Sequence, residues 1–362
     1  MSRRPDVVIV GAGMVAGVHA AACDALGWKV RAVVSRSPER AAELASKVGA
    51  RAVTVEQLAE QVTAERWGDM AIVATPPARH VDDAVALLDA GYQVVVEAPI
   101  ACTLADADRL IAAEQRVGRS VLYSEHLASS PVVDTLLSRV GGIGAVTHLS
   151  ARAVQGPPSW RHTGADDWGG GALFDLGVHP IGLVIRTAAE AGIGAPVSVS
   201  AVINDAGTDH ERATVKLHFE AGTLATINVG WQPGAAPDAD LQVSSARAVL
   251  RAELYPAPTL EANGSPVPVG GSTSAPVATA TPSLVEDYGY APQLRRFWTN
   301  IRTGRPVPAT SAFGRQVLDV VCAAHVSARS AAADVELPFT GPRDRTPHQL
   351  VASLPDDGPE LV

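Results

Sequence analysis

Short apolar runs alternate with amphipathic stretches over the first 125 residues. The runs that predict buried strands lie at 7–10, 30–34, 70–74, 94–96 and 121–123. Stretches with helical spacing separate them, one ending near residue 26 and others at 38–48, 80–90 and 103–117. Ser37 and Thr103 stand where helix N-caps are expected. Strands that alternate with helices predict crossover connections and a parallel sheet covered on both faces.

A different pattern begins after about residue 145. Between residues 215 and 220, apolar and polar positions alternate with a period of two, which predicts a half-buried antiparallel strand. Residues 220–223 and the pair Asn263-Gly264 predict hairpin turns. Residues 265–283 are rich in Pro, Gly, Ser and Thr and predict a surface loop. Residues 293–302 and 311–332 return to helical spacing.

Chain length fits two domains, since 362 residues correspond to about two units of ordinary size. We predict an α/β domain over residues 1–125. An α+β domain with a largely antiparallel sheet follows over residues 126–362, and its C-terminal helix is expected to pack back on the first domain. The apolar fraction of 47% is ample for both cores.

Charge and cysteine content exclude several classes of protein. The net charge of −9 makes a broad nucleic-acid interface a poor expectation. Three scattered cysteines without CxxC spacing predict neither a disulfide framework nor a zinc site. Arg3-Arg4 precedes an apolar stretch as in a secretion signal, but glycines 11, 13 and 17 interrupt that stretch. With no apolar run of about 18 residues, we expect a cytoplasmic protein without a membrane span.

A glycine-rich turn connects the first strand to the first helix. In VVIVGAGMVAG, Gly11 permits a tight turn, Gly13 lets a pyrophosphate approach the backbone, and Ala16 lets helix and strand pack closely. The helix N-terminus then presents free N–H groups to the phosphates. The placement of this motif in a βαβ unit predicts dinucleotide binding, the alternative being a packing turn.

The end of the second strand bears on which dinucleotide binds. The sequence VVSRSPER has Ser35, Arg36 and Ser37 where an NAD-preferring site usually has an acid, and Arg40 follows. Hydroxyls and a guanidinium suit a 2′-phosphate, so NADP(H) is favoured and NAD(H) is the alternative. Arg36 as a solvated surface residue is the competing interpretation.

Two later segments contain the remaining candidate chemistry. ATPPARH predicts a stiff loop at the carboxyl edge of the first sheet, where ligands of doubly wound folds bind. In WRHTGADDWGGGALFDLGVHPIGL, Asp175 and His179 are four residues apart on a predicted helix and share a face. A carboxylate beside an imidazole can orient it for proton transfer, although a purely structural pair is equally compatible. No metal-ligand spacing is present.

Together these segments resemble the Gfo/Idh/MocA oxidoreductases, the family of glucose–fructose oxidoreductase and inositol dehydrogenase. The resemblance covers most of the chain. It rests on GAGMVAGVHA with His19, ATPPARH, the strand ending in Glu97, GGGALFDLGVH, VKLHFEAGTLATINVGW and YGYAPQLRRFWTNIRTGRPVPAT. It implies an N-terminal Rossmann domain and a C-terminal domain with a large open sheet. It also implies a sugar, cyclitol or related polyol substrate, and a homodimer or homotetramer assembled through that sheet.

The chain departs from the family pattern at residue 98. The family motif is Glu-Lys-Pro, in which the lysine polarises the reacting oxygen and works with the histidine that matches His179. The aspartate that matches Asp175 helps to hold the substrate. Here Ala98 replaces the lysine. In addition, Gly182 stands where many members carry an acid, and Ser129-Ser130 lack a basic residue found in many relatives.

Ala98 leaves three interpretations open. In the first, His179 alone serves as the acid/base, at a cost of roughly 10²–10⁴-fold in rate unless His162, Glu125 or His126 substitutes. In the second, the protein binds a dinucleotide or ligand but has become a lyase, an isomerase or a sensor. In the third, Ala98 was introduced by engineering to trap a substrate complex.

We favour the oxidoreductase interpretation because His179 and Asp175 still support acid/base chemistry. The predicted catalytic residues are His179, Asp175 and position Ala98. The predicted substrate side comprises Glu125, His126, Trp160, Arg161, His162, Asp175 and His179. The predicted cofactor side comprises Gly11, Gly13, Met14, Val15, Ser35, Arg36, Ser37, Arg40, Thr75, Pro76, Pro77, His80, Glu97 and Pro99.

Overall fold

Residues 3–56, 66–159, 170–270, 285–307 and 309–352 are described by a computed structural model. The first domain contains a six-stranded sheet in which every pairing is parallel. Its strands are β1 (Asp6–Val10), β2 (Lys29–Ser35), β3 (Arg51–Thr54), β4 (Met70–Val73), β5 (Gln93–Glu97) and β6 (Val121–Ser124). The helices described between them are α1 (Met14–Ala25), α2 (Pro38–Val48), α3 (Pro77–Asp89) and α4 (Leu104–Val117).

The strand order β3-β2-β1-β4-β5-β6 reverses direction between β1 and β4. At such a switch point the loops after the two central strands diverge and leave a crevice at the carboxyl edge of the sheet. The loops that follow β1 and β4 therefore border the expected ligand position. The strands are nearly continuous apolar runs because both faces of the sheet are buried.

The second domain opens with a 3₁₀ turn (His126–Ser129) and is built on a nine-stranded sheet. Its strands are β7 (Val146–Gln155), β8 (Pro196–Asn204), β9 (Arg212–Phe219), β10 (Leu224–Trp231), β11 (Asp238–Ser245), β12 (Val249–Tyr255), β13 (Thr259–Ala262), β14 (Ser265–Val267) and β15 (Val335–Glu336). The order is β14-β13-β12-β11-β7-β10-β9-β8-β15, and among the strands that the structure describes only β7 and β10 pair in parallel.

Four described helices cover one face of this sheet: α5 (Pro131–Val140), α6 (Ala172–Asp175), α7 (Val178–Glu190) and α9 (Ser311–Arg329). Helix α8 (Tyr290–Thr303) packs against α1 and the 3₁₀ turn, and α10 (Pro347–Ala352) packs against α9. Along β9, Ala213, Val215 and Leu217 are buried, whereas Thr214 and Lys216 are exposed on the opposite face. No helix among the described residues is long and apolar enough to cross a membrane.

Two helices of the second half of the chain pack against the first domain. On α9, Arg315 Nε donates to Asp108 Oδ1 of α4 at 3.0 Å. A Cβ at Gly314 would lie 2.8 Å from the Tyr123 ring, so α9 closes directly over β6. On α8, the indole of Trp298 donates to the Arg3 carbonyl at 2.9 Å.

The parallel α/β domain and the mainly antiparallel second sheet confirm the predicted fold class. The two hairpins are also confirmed: Leu224 pairs with His218, and Ala262 pairs with Ser265 across a turn whose two residues have positive φ. The predicted loop over residues 265–283 is wrong at its start, where β14 forms, and its remainder from residue 271 lies outside the described residues. The pattern also did not predict β3 or β7.

Candidate active site

The glycine loop has the backbone that a bound pyrophosphate needs. Gly11 has φ of +119°, and a Cβ there would lie 2.2 Å from the Ala74 carbonyl oxygen. A Cβ at Gly13 would meet nothing within 4 Å. Gly13 is the N-cap of α1 and offers no side-chain cap, Met14 is exposed, and Val15 is half-buried. The N–H groups of the first turn are therefore free of side-chain partners, as phosphate binding at this helix requires.

Hydroxyls and charges surround the end of β2. Ser35 Oγ accepts from the Ser37 N–H at 3.1 Å, and Ser37 Oγ caps α2 by accepting from the Arg40 N–H at 3.3 Å. Ser37 Oγ also donates to the carboxylate of Glu39 at 2.9 Å. The side chains of Arg36 and Arg40 are exposed. The end of β2 itself has no acid, but the fold brings the Glu39 carboxylate of α2 to Ser37.

A buried histidine holds the loop between β4 and α3. His80 Nε2 lies 2.7 Å from the Thr75 carbonyl, and its Nδ1 lies 2.8 Å from the Pro99 carbonyl. Both ring nitrogens therefore face backbone oxygens inside the protein. The prediction that His80 contacts the cofactor is not supported, because the first turn of α3 points this ring inward. The loop itself, with Pro76 and Pro77 at the start of α3, lies at the crevice.

Glu97 is the centre of a buried hydrogen-bond network. Its Oε1 lies 2.5 Å from His19 Nε2 and accepts from Ser124 Oγ at 2.5 Å, and Gln293 Nε2 donates to Ser124 at 2.8 Å. Its Oε2 accepts from the Ala98 N–H at 3.3 Å. Burial would raise the pKa of Glu97, but the contacts with His19 and Ser124 lower it to about 2. The carboxylate predicted to face the cofactor thus ties β5 to α1, β6 and α8.

His179 meets the rim of the first sheet through Glu125. Its Nδ1 lies 2.8 Å from Glu125 Oε2, and Glu125 directly follows β6. Burial alone would lower the pKa of His179, but the charge and hydrogen bond of Glu125 outweigh it and raise the pKa to about 9. Since Glu125 accepts the Nδ1 proton, Nε2 is the ring nitrogen that remains for a substrate.

Asp175 does not orient His179 as the sequence argument expected. The predicted helix is divided at Gly177 into α6 and α7, and no side-chain hydrogen bond joins Asp175 to any described residue. A Cβ at residue 177 would lie 2.4 Å from the Leu173 carbonyl, so the two helices turn tightly there. Burial raises the pKa of Asp175 to about 6, against the attraction of His179.

Aromatic rings complete the described part of the site. The ring of His126 stacks on Tyr290 with centroids 4.0 Å apart and lies 5.4 Å from the His179 ring. Its Nδ1 donates to the Tyr288 carbonyl at 2.7 Å, and burial lowers its pKa to about 3. His126 is therefore neutral at physiological pH. Its Nε2 can accept a hydrogen bond but cannot supply a proton.

Several residues that shape the site were missed by the sequence argument. Ser124 ends β6, whereas Tyr288, Tyr290 and Gln293 lie together about 165 residues later, and only the fold brings the two segments together. Glu39 could have been considered from the sequence, because it lies only four residues after the end of β2. Trp160, Arg161 and His162 lie outside the described residues. Among the residues that the structure describes, no three His, Cys, Asp or Glu side chains are arranged to hold a metal ion.

Two regions of the chain match models of known domains. Residues 6–125 match an oxidoreductase family with an NAD-binding Rossmann fold, and residues 137–251 match the Gfo/Idh/MocA C-terminal domain. The chain belongs to the Gfo/Idh/MocA oxidoreductase family. This membership makes the protein an oxidoreductase, and the glycine loop described above fits the nicotinamide dinucleotide of that family.

Relatives of this Gfo/Idh/MocA protein agree with that assignment. An uncharacterised oxidoreductase of Rhizobium meliloti is 28% identical, over 78% of this chain and 84% of its own. A dTDP-3,4-didehydro-2,6-dideoxy-α-D-glucose 3-reductase of Saccharopolyspora spinosa is 31% identical over 58% of this chain. The match covers 63% of the length of that reductase. GenD2 from gentamicin A biosynthesis, solved in complex with NAD, is 26% identical in sequence. Its structure superposes on this one with a TM-score of 0.77, covering 93% of this chain and 97% of GenD2.

Proposed function

We propose that the protein is an NADP(H)-dependent oxidoreductase that interconverts a secondary alcohol and a ketone on a sugar, cyclitol or related polyol, with His179 as the acid/base. The observation that carries the proposal is the hydrogen bond between His179 and Glu125. It holds an imidazole of the second domain at the carboxyl edge of the dinucleotide-binding sheet. The dTDP-sugar reductase among the relatives supports a sugar substrate, including one attached to a nucleotide.

The first domain supplies the cofactor side. The Gly11–Gly13 turn and the N-terminus of α1 would hold the pyrophosphate, and the residues after β2 would hold the adenosine ribose. Thr75, Pro76 and Pro99 border the crevice toward which the nicotinamide would extend. The nicotinamide supplies a hydride acceptor or donor when it is bound. Glu97 and His80 fix the backbone of these loops.

The second domain supplies the proton. Nε2 of neutral His179 takes the proton of the substrate hydroxyl during oxidation, and Nε2–H of the imidazolium returns it to the carbonyl oxygen during reduction. Asp175, without a side-chain partner among the described residues, would accept hydrogen bonds from substrate hydroxyls. His126 would accept one more through its unprotonated Nε2.

The redox proposal is tested by nicotinamide absorbance during incubation with a panel of polyols, sugars and nucleotide sugars. We expect a substrate-dependent absorbance change with the parent chain and its loss in His179→Ala. An Ala98→Lys variant belongs in the same panel. If parent and variant both bind the cofactor but neither changes the absorbance with any compound, the result favours the alternative function. In that case the protein is a lyase, an isomerase or a ligand-binding protein that retains the dinucleotide.

The preference for NADP(H) has a separate test. Arg36 and Arg40 place two exposed positive charges beside Ser35 and Ser37, which favours a 2′-phosphate, whereas the Glu39 carboxylate opposes it. Calorimetry should give tighter binding of NADPH than of NADH, and Arg36→Ala should abolish the difference. Glu39→Gln should enlarge it. Equal affinities in the parent chain would remove the argument from Arg36.

A further inference from the structure

Ala98 and Glu125 occupy neighbouring positions at the carboxyl ends of β5 and β6. The last registered pair of these parallel strands joins Glu97 to Ser124. One residue further, the chain has Ala98 after β5 and Glu125 after β6. A methyl group can neither carry charge nor exchange a proton. Of the two residues that directly follow β5 and β6, only Glu125 therefore has a titratable side chain.

Glu125 depends on His179 for compensation of its charge. Its exposure is 1%, and its Oε1 is buried with no hydrogen-bond partner among the described residues. Oε2 has His179 Nδ1 as its partner at 2.8 Å, and Arg186 adds a further attraction. Because a buried carboxylate is costly unless it is paired, the carboxylate and the imidazolium stabilise each other.

Helix α7 is shaped to accept this carboxylate. A Cβ at Gly182 would lie 3.4 Å from Glu125 Cγ and 3.7 Å from Oε2. These are van der Waals contact distances, so a side chain longer than that of alanine at position 182 would press against the pair. Gly182 thus leaves room for Glu125 to reach His179, which lies one helical turn earlier on α7.

We propose that Glu125 is the positioning residue for His179, and that the site is built around Glu125 and Ala98 without an amine at position 98. The inference rests on the proposed function. It assigns Glu125 a role behind the imidazole instead of a contact with the substrate.

The proton balance of the reaction is complete with these two residues. In oxidation the O–H bond of the alcohol breaks and an N–H bond forms at Nε2 of His179, while the hydride of the C–H bond goes to the oxidised nicotinamide. Glu125 accepts the Nδ1–H throughout and stabilises the imidazolium that results. Reduction reverses each transfer. No amine takes part.

An amine at position 98 would disturb this arrangement. An ammonium beside the last residue of β6 would attract the Glu125 carboxylate and compete with His179 for it. We therefore expect Ala98→Lys to weaken the hold on His179. If alanine had been introduced into a lysine-dependent site, restoring the lysine would instead raise the rate.

The first experiment needs no substrate. Titration of the parent chain by NMR, with the ring resonances of His179 assigned by comparison with His179→Asn, should give a midpoint near the value of about 9 set by Glu125. Glu125→Gln keeps a hydrogen-bond acceptor but removes the charge, so the midpoint should fall by at least about one unit. Ala98→Lys should lower it in the same direction.

The second experiment compares kinetics with a substrate found in the absorbance panel. In Glu125→Ala, kcat should fall by about 10²-fold with KM changed by only a few-fold, because the ring loses both its charge partner and its orientation. Glu125→Gln should retain more activity than Glu125→Ala, with its pH profile shifted to lower pH. Ala98→Lys should not exceed the parent rate.

A matched control separates this role from general damage to a buried carboxylate. Glu114→Gln alters a half-buried glutamate of α4 that accepts from the Val121 N–H at 2.8 Å, at the other end of β6. It should leave the His179 midpoint and kcat unchanged. An unchanged midpoint in Glu125→Gln, or a rate gain of tenfold or more in Ala98→Lys, would overturn the inference. Since the titration is read without turnover, its result stands apart from any failure to find a redox substrate.

Discussion

His179 and Glu97 are neighbouring groups whose pKa values shift in opposite directions, so that each is held in its charged form. Glu125 raises the pKa of His179 to about 9, whereas His19 and Ser124 lower the pKa of Glu97 to about 2. At neutral pH the imidazole is therefore charged and ready to donate a proton. The Glu97 carboxylate is charged and fully engaged by the protein. In the proposed reaction His179 exchanges protons, whereas Glu97 keeps its charge.

The proposed role of His179 predicts how catalysis depends on pH. Reduction needs the imidazolium, so its kcat should stay constant below about pH 8 and fall as the pH rises through about 9. Oxidation needs the neutral ring, so its kcat should rise over the same range. Rates measured in both directions from pH 6 to 10 check this, with His179→Gln as the inactive control. Parallel profiles for the two directions would contradict the assignment.

The stability that Glu97 contributes to the fold decreases at low pH. Because its pKa falls from about 4.5 to about 2 on folding, its stabilisation is complete above about pH 4.5 and is lost as the pH falls through about 2. Glu97→Gln should lower the free energy of unfolding at pH 7 by about 3–5 kcal/mol, since a neutral amide cannot replace the two buried hydrogen bonds that the carboxylate makes with His19 and Ser124.

Urea unfolding at pH 7 and pH 3 measures this effect, and the gap between variant and parent should narrow at the lower pH. Glu190→Gln, an exposed position at the end of α7, is the matched control and should change stability by less than about 0.5 kcal/mol. A gap of equal size at both pH values would contradict the account of Glu97.

At the scale of elements, the βαβ unit separates a folding requirement from a binding requirement. Gly11 is needed by the fold, since its positive φ and its closeness to the Ala74 carbonyl exclude a side chain. Gly13 has ordinary φ and open space around its Cβ position. Its lack of a side chain is explained by a ligand that approaches the backbone.

The two glycines make a matched pair of substitutions. Gly11→Ala should destabilise the protein by at least about 1–3 kcal/mol, the cost of an unfavourable backbone conformation, with a further penalty from overlap with Ala74. Gly13→Ala should leave the free energy of unfolding within about 0.5 kcal/mol of the parent. It should nevertheless weaken dinucleotide binding tenfold or more. Thermal denaturation and calorimetry distinguish the two, and equal stability losses would contradict this division.

At the scale of the whole molecule, two helices of the second half of the chain fix the domains to each other. α8 and α9 both contact the first domain, through Trp298 and Arg315. The opposite face of the nine-stranded sheet carries no described helix and mixes polar side chains with the exposed Val202 and Val249. Thr214 Oγ1 and Asn228 Oδ1 form a 2.9 Å hydrogen bond there. This face is the surface through which we propose a homodimer or homotetramer assembles.

Assembly through that face is tested by adding charge to it. Thr214→Glu with Asn228→Glu places two like charges on neighbouring strands, and across a symmetric interface it would place four together. The parent should sediment as a dimer or tetramer and the double variant as a smaller species. Ala112→Glu with Gln115→Glu adds the same charge to the exposed side of α4 and should leave the assembly intact. A monomeric parent would refute the proposal.

The sequence by itself determined the parts of this protein that depend on local order. The strand–helix alternation, the glycine turn after β1 and the two hairpins were readable because periodicity and turn chemistry act over a few residues. Family likeness then located Ala98 as a departure. β7 was missed although it lies within the second sheet, and its pairing with β10 joins segments more than seventy residues apart.

Only the tertiary structure decided how the site is connected. The sequence placed Asp175 beside His179 because four residues form about one helical turn, but the helix is divided at Gly177 and no side-chain hydrogen bond joins the two residues. The actual partner, Glu125, precedes His179 by 54 residues and reaches it because β6 ends beneath α7. At that junction burial disfavours the charge of both groups, and their mutual attraction opposes this effect. Such a contact depends on how whole elements pack, and no local pattern of residues records it.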